Sequence, residues 1–327
     1  MITVPAGCRQ IMSCMLALTL FHGAAAHAQN YPSRSVRLVV PYGIGGNADL
    51  LSRIFADKLA ESLGQPFLVD NRPGANGVIG ADIGAKAPPD GYTLLFIASG
   101  HAINPALYDK MPFDAANDFS AISQVGTTPL IITVNASLPA DNLKELIALA
   151  RSKSGQLNFA SAGNGSPGHL AGALFNSLTG VQTTHVPYKA TAQAMTDVMS
   201  GRVQLMYPTA TAALPFLKTG KLRGLAITGN QRSALAPDIL TFQEAGLPGY
   251  DSGTWTGFVA PAHTPQPIIE RVNRAIVAII KTSSARERII GLGADPLSST
   301  PAEFATLIAS EIQKWGKVVK EAGVRMD

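Results

Sequence analysis

Apolar and polar positions alternate between two rhythms along this chain. Residues 36–40 (VRLVV) form an apolar run, and a turn carrying Gly43, Gly45 and Gly46 follows. Leu50, Leu51, Ile54, Phe55, Leu59 and Leu63 then recur at helical spacing with one buried face. Further short apolar runs predict strands at 67–69, 93–98, 130–134, 157–160, 184–186, 203–207, 224–228 and 254–259. Helical periodicity falls between them, at 50–63, 78–87, 143–152, 169–178, 193–199 and 212–218. This alternation predicts an α/β fold with parallel sheets covered on both faces. From Pro267 onward the pattern is helical. The last helix opens on a capping box, with Thr300 as N-cap, Pro301 first and Glu303 third, and Gly323 stops it.

No fixed short repeat and no low-complexity linker divides the chain. Its length suits two domains. Without a linker, two domains imply interleaving: residues 29–128 with 254–327 as one, 129–253 as the other, and the two crossing strands as a hinge.

The first 28 residues read as a signal peptide. Arg9 and the amino terminus are basic, residues 11–21 are mostly apolar, and Ala26-His27-Ala28 is a small-x-small cleavage pattern. The apolar run is shorter than the roughly 20 residues that span a bilayer, so the expectation is an exported, periplasmic protein. Cys8 and Cys14 both lie in this segment, and the mature chain then has neither disulfide nor catalytic thiol. The formal net charge of +4 falls to +3 once Arg9 is lost. That is too mild for a nucleic-acid reader, and no aromatic-interleaved basic stripe is present.

The glycine turn before the first helix is the leading chemical feature. First-turn amides lack intrahelical acceptors and sit at the positive end of the helix dipole, so they suit an anion. Asn47 or Asp49 is the expected cap. Gly43-x-Gly45-x-x-Ala48 also fits a dinucleotide fingerprint, with Asp70 placed for a ribose. The residues themselves thus leave a carboxylate receptor and a nucleotide-dependent enzyme open. A second small-residue turn, Ser161 to Ser166, also leads from a strand into a helix. Two such turns facing one cleft would clamp a molecule with two acidic ends. Asn164-Gly165-Ser166-Pro167-Gly168 is near a nucleophile elbow, but Asn164 stands where glycine belongs and His169 follows on the same helix. A Ser-dependent hydrolase is the weaker reading. The histidines form no HxxxH or HExxH pair, so neither metal nor cofactor is expected. His101, Tyr42, Tyr188, Tyr207 and Trp255 lie at or beside strand ends, where side chains line ligand clefts.

Eight segments in order carry a family likeness: YPSRSVRLVVPYGIGGNAD (31–49), LGQPFLVDNRPGANGVIGAD (63–82), PPDGYTLLF (88–96), INPALY (103–108), GSPGHLAG (165–172), HVPYK (185–189), AGLPGY (245–250) and TPAEF (300–304). The chain resembles the Bug-type (TctC-like) periplasmic solute-binding receptors of tripartite tricarboxylate transporters. The resemblance implies a type II periplasmic-binding-protein fold, two α/β domains joined by a two-strand hinge, that closes on a small organic carboxylate without covalent chemistry. It implies that Tyr42, Gly43, Ile44, Gly45 and Gly46 grip the ligand from one domain and Ser161, Gly163, Asn164, Gly165 and Ser166 from the other. Ser99, His101, Tyr188, Tyr207, Pro208 and Thr209 would line the remaining walls. The implied partners are the ligand and a membrane permease or sensor, with the receptor a monomer. Gly43 and Ile44 depart from the prolines or alanine common in the family turn, and Ala190 from its glycine after HVPYK. Export also weighs against NAD, since the leader lacks a twin-arginine start. Cleavage after Ala28 predicts an exported chain beginning at Gln29, which intact-mass spectrometry of the periplasmic fraction would read directly.

Overall fold

A computed structural model describes residues 31–324, so the expected leader lies outside the described residues. Eleven strands form two sheets among these residues. The first sheet holds β1 (Val36–Val40), β2 (Phe67–Asn71), β3 (Thr93–Ala98) and β4 (Phe119–Thr128). The second takes β5 (Ile131–Asn135), β6 (Asn158–Ser161), β7 (Thr184–Pro187), β8 (Leu205–Met206) and β9 (Leu222–Ile227). The chain then returns to the first sheet with β10 (Thr254–Pro261) and β11 (Asp295–Pro296). Strand order is β11-β4-β10-β3-β1-β2 in the first and β7-β6-β8-β5-β9 in the second.

Neither sheet is purely parallel, contrary to the alternation rule. β1 pairs in parallel with β2 and β3, and β6 with β7 and β8. β10 runs antiparallel to β3 and β4, and β5 antiparallel to β8 and β9. β10 and β5 are the strands by which the chain enters each sheet from the other, and β11 also runs antiparallel to β4. β4, absent from the expected strands, is the long partner of β10; its inward-outward alternation is broken where the register shifts at Thr256/Gly257 and Phe258/Val259.

The helices are α1 (Asn47–Leu63), α2 (Val78–Ala85), α3 (Gly100–Leu107), α4 (Leu143–Ser152), α5 (Pro167–Thr179), α6 (Thr191–Met199), α7 (Ala210–Lys218), α8 (Gln266–Lys281), α9 (Ser283–Gly291) and α10 (Pro301–Ala322). The periodicity missed α3, whose sequence GHAINPAL contains a glycine and an internal proline. Its buried Ile103 and Leu107 hold it in place through packing. The capping box of α10 forms as expected, with Thr300 Oγ1 accepting from the Glu303 amide at 3.2 Å and Glu303 accepting from the Thr300 amide at 2.8 Å. Gly323 ends it at φ 64°.

α10 does not stay with the first sheet, where the expected division put it. Phe304 and Ile308 pack with Val39, Leu95 and Ile97 of that sheet. Trp315, Val318 and Val319 instead join Leu170, Leu174 and Phe175 in the core under the second. One helix therefore spans both cores.

The first core centres on Phe258, which meets Phe55 at 5.5 Å and Phe96 at 5.0 Å edge to face, all three fully buried. Truncating Phe258 to alanine removes both contacts and leaves a cavity between α1 and the sheet. Phe258→Ala should cost about 3–5 kcal/mol of unfolding free energy in urea denaturation.

Candidate functional site

The two crossings between sheets lie side by side. β4 becomes β5 through Pro129 and Leu130, and Thr254, which opens β10, is paired with Thr128. Threonines tie them together: Thr254 Oγ1 donates to the Thr128 carbonyl at 3.2 Å, and Thr228 Oγ1 accepts from the Leu130 amide at 2.9 Å. Beside this junction is a cavity of about 230 Å³, walled by Tyr42, Ile103, Thr128, Trp255 and Thr256. Asn47 and Ala48 of α1, Ser99 and Gly100 at the start of α3, and Gly165 and Pro167 at the start of α5 also face it. Three helix starts thus open on one space. Among the described residues that line the cavity, none is charged.

Gly43, Ile44, Gly45 and Gly46 lie between Tyr42 and Asn47 of the lining without being among the residues that face the cavity, and their loop is shaped by a buried carboxylate. Gly46 rather than Asn47 or Asp49 is the N-cap of α1, and no side chain caps it. Asp49 instead reaches back from the first turn and accepts from the Gly45 amide at 2.9 Å, Arg53 Nε at 3.0 Å and Asn71 Nδ2 at 2.9 Å. Burial opposes its ionisation, but Arg53, the Gly45 amide and Asn71 outweigh burial and hold the carboxyl below its usual range. Gly45 turns at φ 81°, a conformation that favours glycine. Gly43, Ile44, Gly45 and Gly46 are exposed, Ile44 at 80%. Tyr42 stands behind them, its hydroxyl accepting from the Ala98 amide at 3.0 Å; burial pushes the phenol up to about 12.

The second loop is likewise occupied with itself. The Gly163 amide donates to Ser161 Oγ at 3.1 Å, the Gly165 amide to His169 Nδ1 at 3.1 Å, and the Ser166 amide to the Gly163 carbonyl at 3.2 Å. Ser166 caps α5, and its hydroxyl donates to the Gly163 carbonyl at 2.7 Å. Ser161 is buried against His185 Nε2 at 2.6 Å. Of this loop, only Gly165 is among the residues facing the cavity; Ser161, Gly163, Asn164 and Ser166 are not. Beside the cavity, the Asn47 and Ala48 amides of α1 and the Gly100 amide of α3 precede their helices' own hydrogen-bond ladders.

Several expected wall residues turn elsewhere. His101 is packed between Phe113 and Phe119 with Nε2 on the Ala115 carbonyl at 2.9 Å. Tyr207 is buried against Phe159 and Phe175 in the second core. Tyr188 donates to Asp197 at 2.8 Å. Pro208 is buried, and Thr209 precedes α7 and shares a hydrogen bond with Thr211. Each is amphipathic or small, and sequence position alone cannot tell a wall from a core. Asp70, the possible ribose acid, is held by Arg37 at 2.6 Å and Arg72 at 2.9 Å. The sequence reading missed Asn76, Thr128, Thr254 and Thr256 of the cavity wall. The adjacency of both crossings would have pointed to the threonines, but it is a tertiary fact.

A family model described as tripartite tricarboxylate transporter family receptor matches residues 51–324. The chain belongs to this family. BugT of Bordetella pertussis is 36% identical over 93% of this chain and 94% of its own. A Rhodopseudomonas palustris protein, Rpa4515, solved with adipate, is 37% identical with a TM-score of 0.72, covering 90% of this chain and 100% of that one. MatC of the same organism, solved with bound malate, is 34% identical with a TM-score of 0.68, covering 88% and 100%. The fold is accordingly that of the two-domain periplasmic binding proteins.

In this receptor His169 and His185 stack beneath the second loop, ring centroids 3.7 Å apart and planes within 8°. Burial lowers both imidazoles to about 4, the neighbouring ring adding to the effect at His185, and burial lowers His101 to about 4 as well. An unfolded histidine titrates near 6.5. Between about pH 6.5 and 4 the unfolded chain binds more protons, so stability falls as pH drops through that window. Urea unfolding at pH 7.5, 6 and 5 should show this slope, and His169→Gln with His185→Gln should reduce it while leaving the part due to His101.

Proposed function

We propose that this chain is a periplasmic receptor that takes up a small organic carboxylate between its two sheets and presents it to a membrane permease or sensor. The observation that carries this reading is the convergence of three helix starts on one uncharged cavity. A carboxylate there would accept hydrogen bonds from the Asn47, Ala48 and Gly100 amides, assisted by three helix dipoles, and needs no arginine. Ser99, Tyr42 and Gly165 would border it, and the Gly43–Gly46 loop with Ile44 would cover it. The adipate- and malate-bound relatives support a carboxylate as the ligand class. In this reading the domains are residues 29–128 with 254–327, and 129–253, and the crossings at Thr128 and Thr254 form the hinge. The receptor works as a monomer, without cofactor or metal, after cleavage near Ala28.

Binding would stabilise the receptor, since a ligand at 100 times its dissociation constant adds about 2.7 kcal/mol. Calorimetry and thermal melting against adipate, malate, glutamate and benzoate should give saturable heat and a raised midpoint with at least one. Absence of both with all four, alongside a shift with NAD, would replace the receptor by the nucleotide reading.

A further inference from the structure

The chain has two tryptophans, and one buried carboxylate holds both. Glu311 of α10 is 3% exposed, and its Oε2 accepts from Trp255 Nε1 at 3.3 Å and Trp315 Nε1 at 2.8 Å. Lys314 pairs with its other oxygen, and the same ammonium donates to the Asp251 carbonyl at 2.7 Å. A carboxylate removed from water is costly unless its lone pairs are met, and here donors reach both oxygens.

The placement of these partners is what matters. Trp255 is a wall of the cavity, and its carbonyl accepts from the Ser99 amide at 3.0 Å where α3 begins. Asp251 lies on the segment that returns the chain from β9 to β10. Trp315 is buried in the second core, away from the cavity. α10 thus bridges the sheets alongside the two crossings, and Glu311 joins the cavity wall, the returning crossing and the second core at one point.

The geometry points to Glu311 as the positioning residue of the receptor: it fixes the Trp255 wall for ligand and couples cleft closure to the second-core half of α10. This rests on the carboxylate-receptor reading and adds to it the route by which occupancy of the cavity reaches the far end of the molecule. Loss of the carboxylate charge would leave two indoles sharing a weaker acceptor and would release Lys314 from one side. A fully connected buried network of this kind also specifies a single arrangement of its members.

The test uses the full mature chain labelled with 5-fluorotryptophan, whose two fluorine resonances are assigned from Trp255→Phe and Trp315→Phe. Adipate and malate are the probes, with calorimetry in parallel. In the wild type, ligand should move both resonances. In Glu311→Gln it should move only that of Trp255, with affinity about tenfold weaker. Lys314→Met, which removes the tie to the Asp251 carbonyl but leaves both indole bonds in place, should keep the fold and the Trp315 response, so its loss there overturns the coupling through Glu311 even if Glu311→Gln does not fold. A Trp315 resonance that ligand leaves unmoved in the wild type, or that moves in Glu311→Gln as far as in the wild type with unchanged affinity, overturns the coupling alone. A wild type that binds neither acid overturns the receptor reading and the coupling with it.

Discussion

The antiparallel pairing of β10 with β4 is the constraint on which the rest of this molecule depends. Its register sets Thr254 opposite Thr128, so the outgoing and returning crossings lie together and the two sheets face one another across a narrow junction. Without that pairing, α1, α3 and α5 would begin at unrelated places. With it, their first turns share one space, where open sheets put ligands beyond the carboxyl ends of their strands.

The chemistry of that space is electrostatic without formal charge. Backbone dipoles at helix starts can hold an anion at modest desolvation cost, whereas a buried arginine would require its own compensating partners. The carboxylate of Asp49, in the first turn of α1, is turned inward to Gly45, Arg53 and Asn71. It stiffens the glycine loop instead of repelling a ligand from the cavity. In the second loop His169 and Ser161 act comparably, accepting from the Gly165 and Gly163 amides. Both glycine-rich turns look in sequence like bare anion cradles; in three dimensions the Gly45, Gly163 and Gly165 amides are taken up by side chains of their own loop or helix.

The balance between legible and hidden features follows the range of the interactions. β1, β3 and α4 stand where the hydrophobic periods put them, and the Thr300 capping box and Gly323 stop are local hydrogen-bond devices written in adjacent residues. α3 was hidden because its propensity is poor and its stability comes from Ile103 and Leu107 in a distant core. β4 was hidden because register shifts against β10 break the alternation by which a strand is read. His101 and Tyr207 carry polar tips that suit a site, yet both face aromatic neighbours inside the fold.

The sequence by itself determined the α/β rhythm, the glycine turns, the helix ends and, through eight ordered segments, the receptor family. These are properties of neighbouring residues, decided by periodicity, capping and backbone freedom. Only the tertiary structure decided which amides face the cavity, which are consumed within their own loops, and that α10 and Glu311 connect one core to the other. Those outcomes depend on contacts between residues far apart in the chain, and such contacts leave no periodic trace in it.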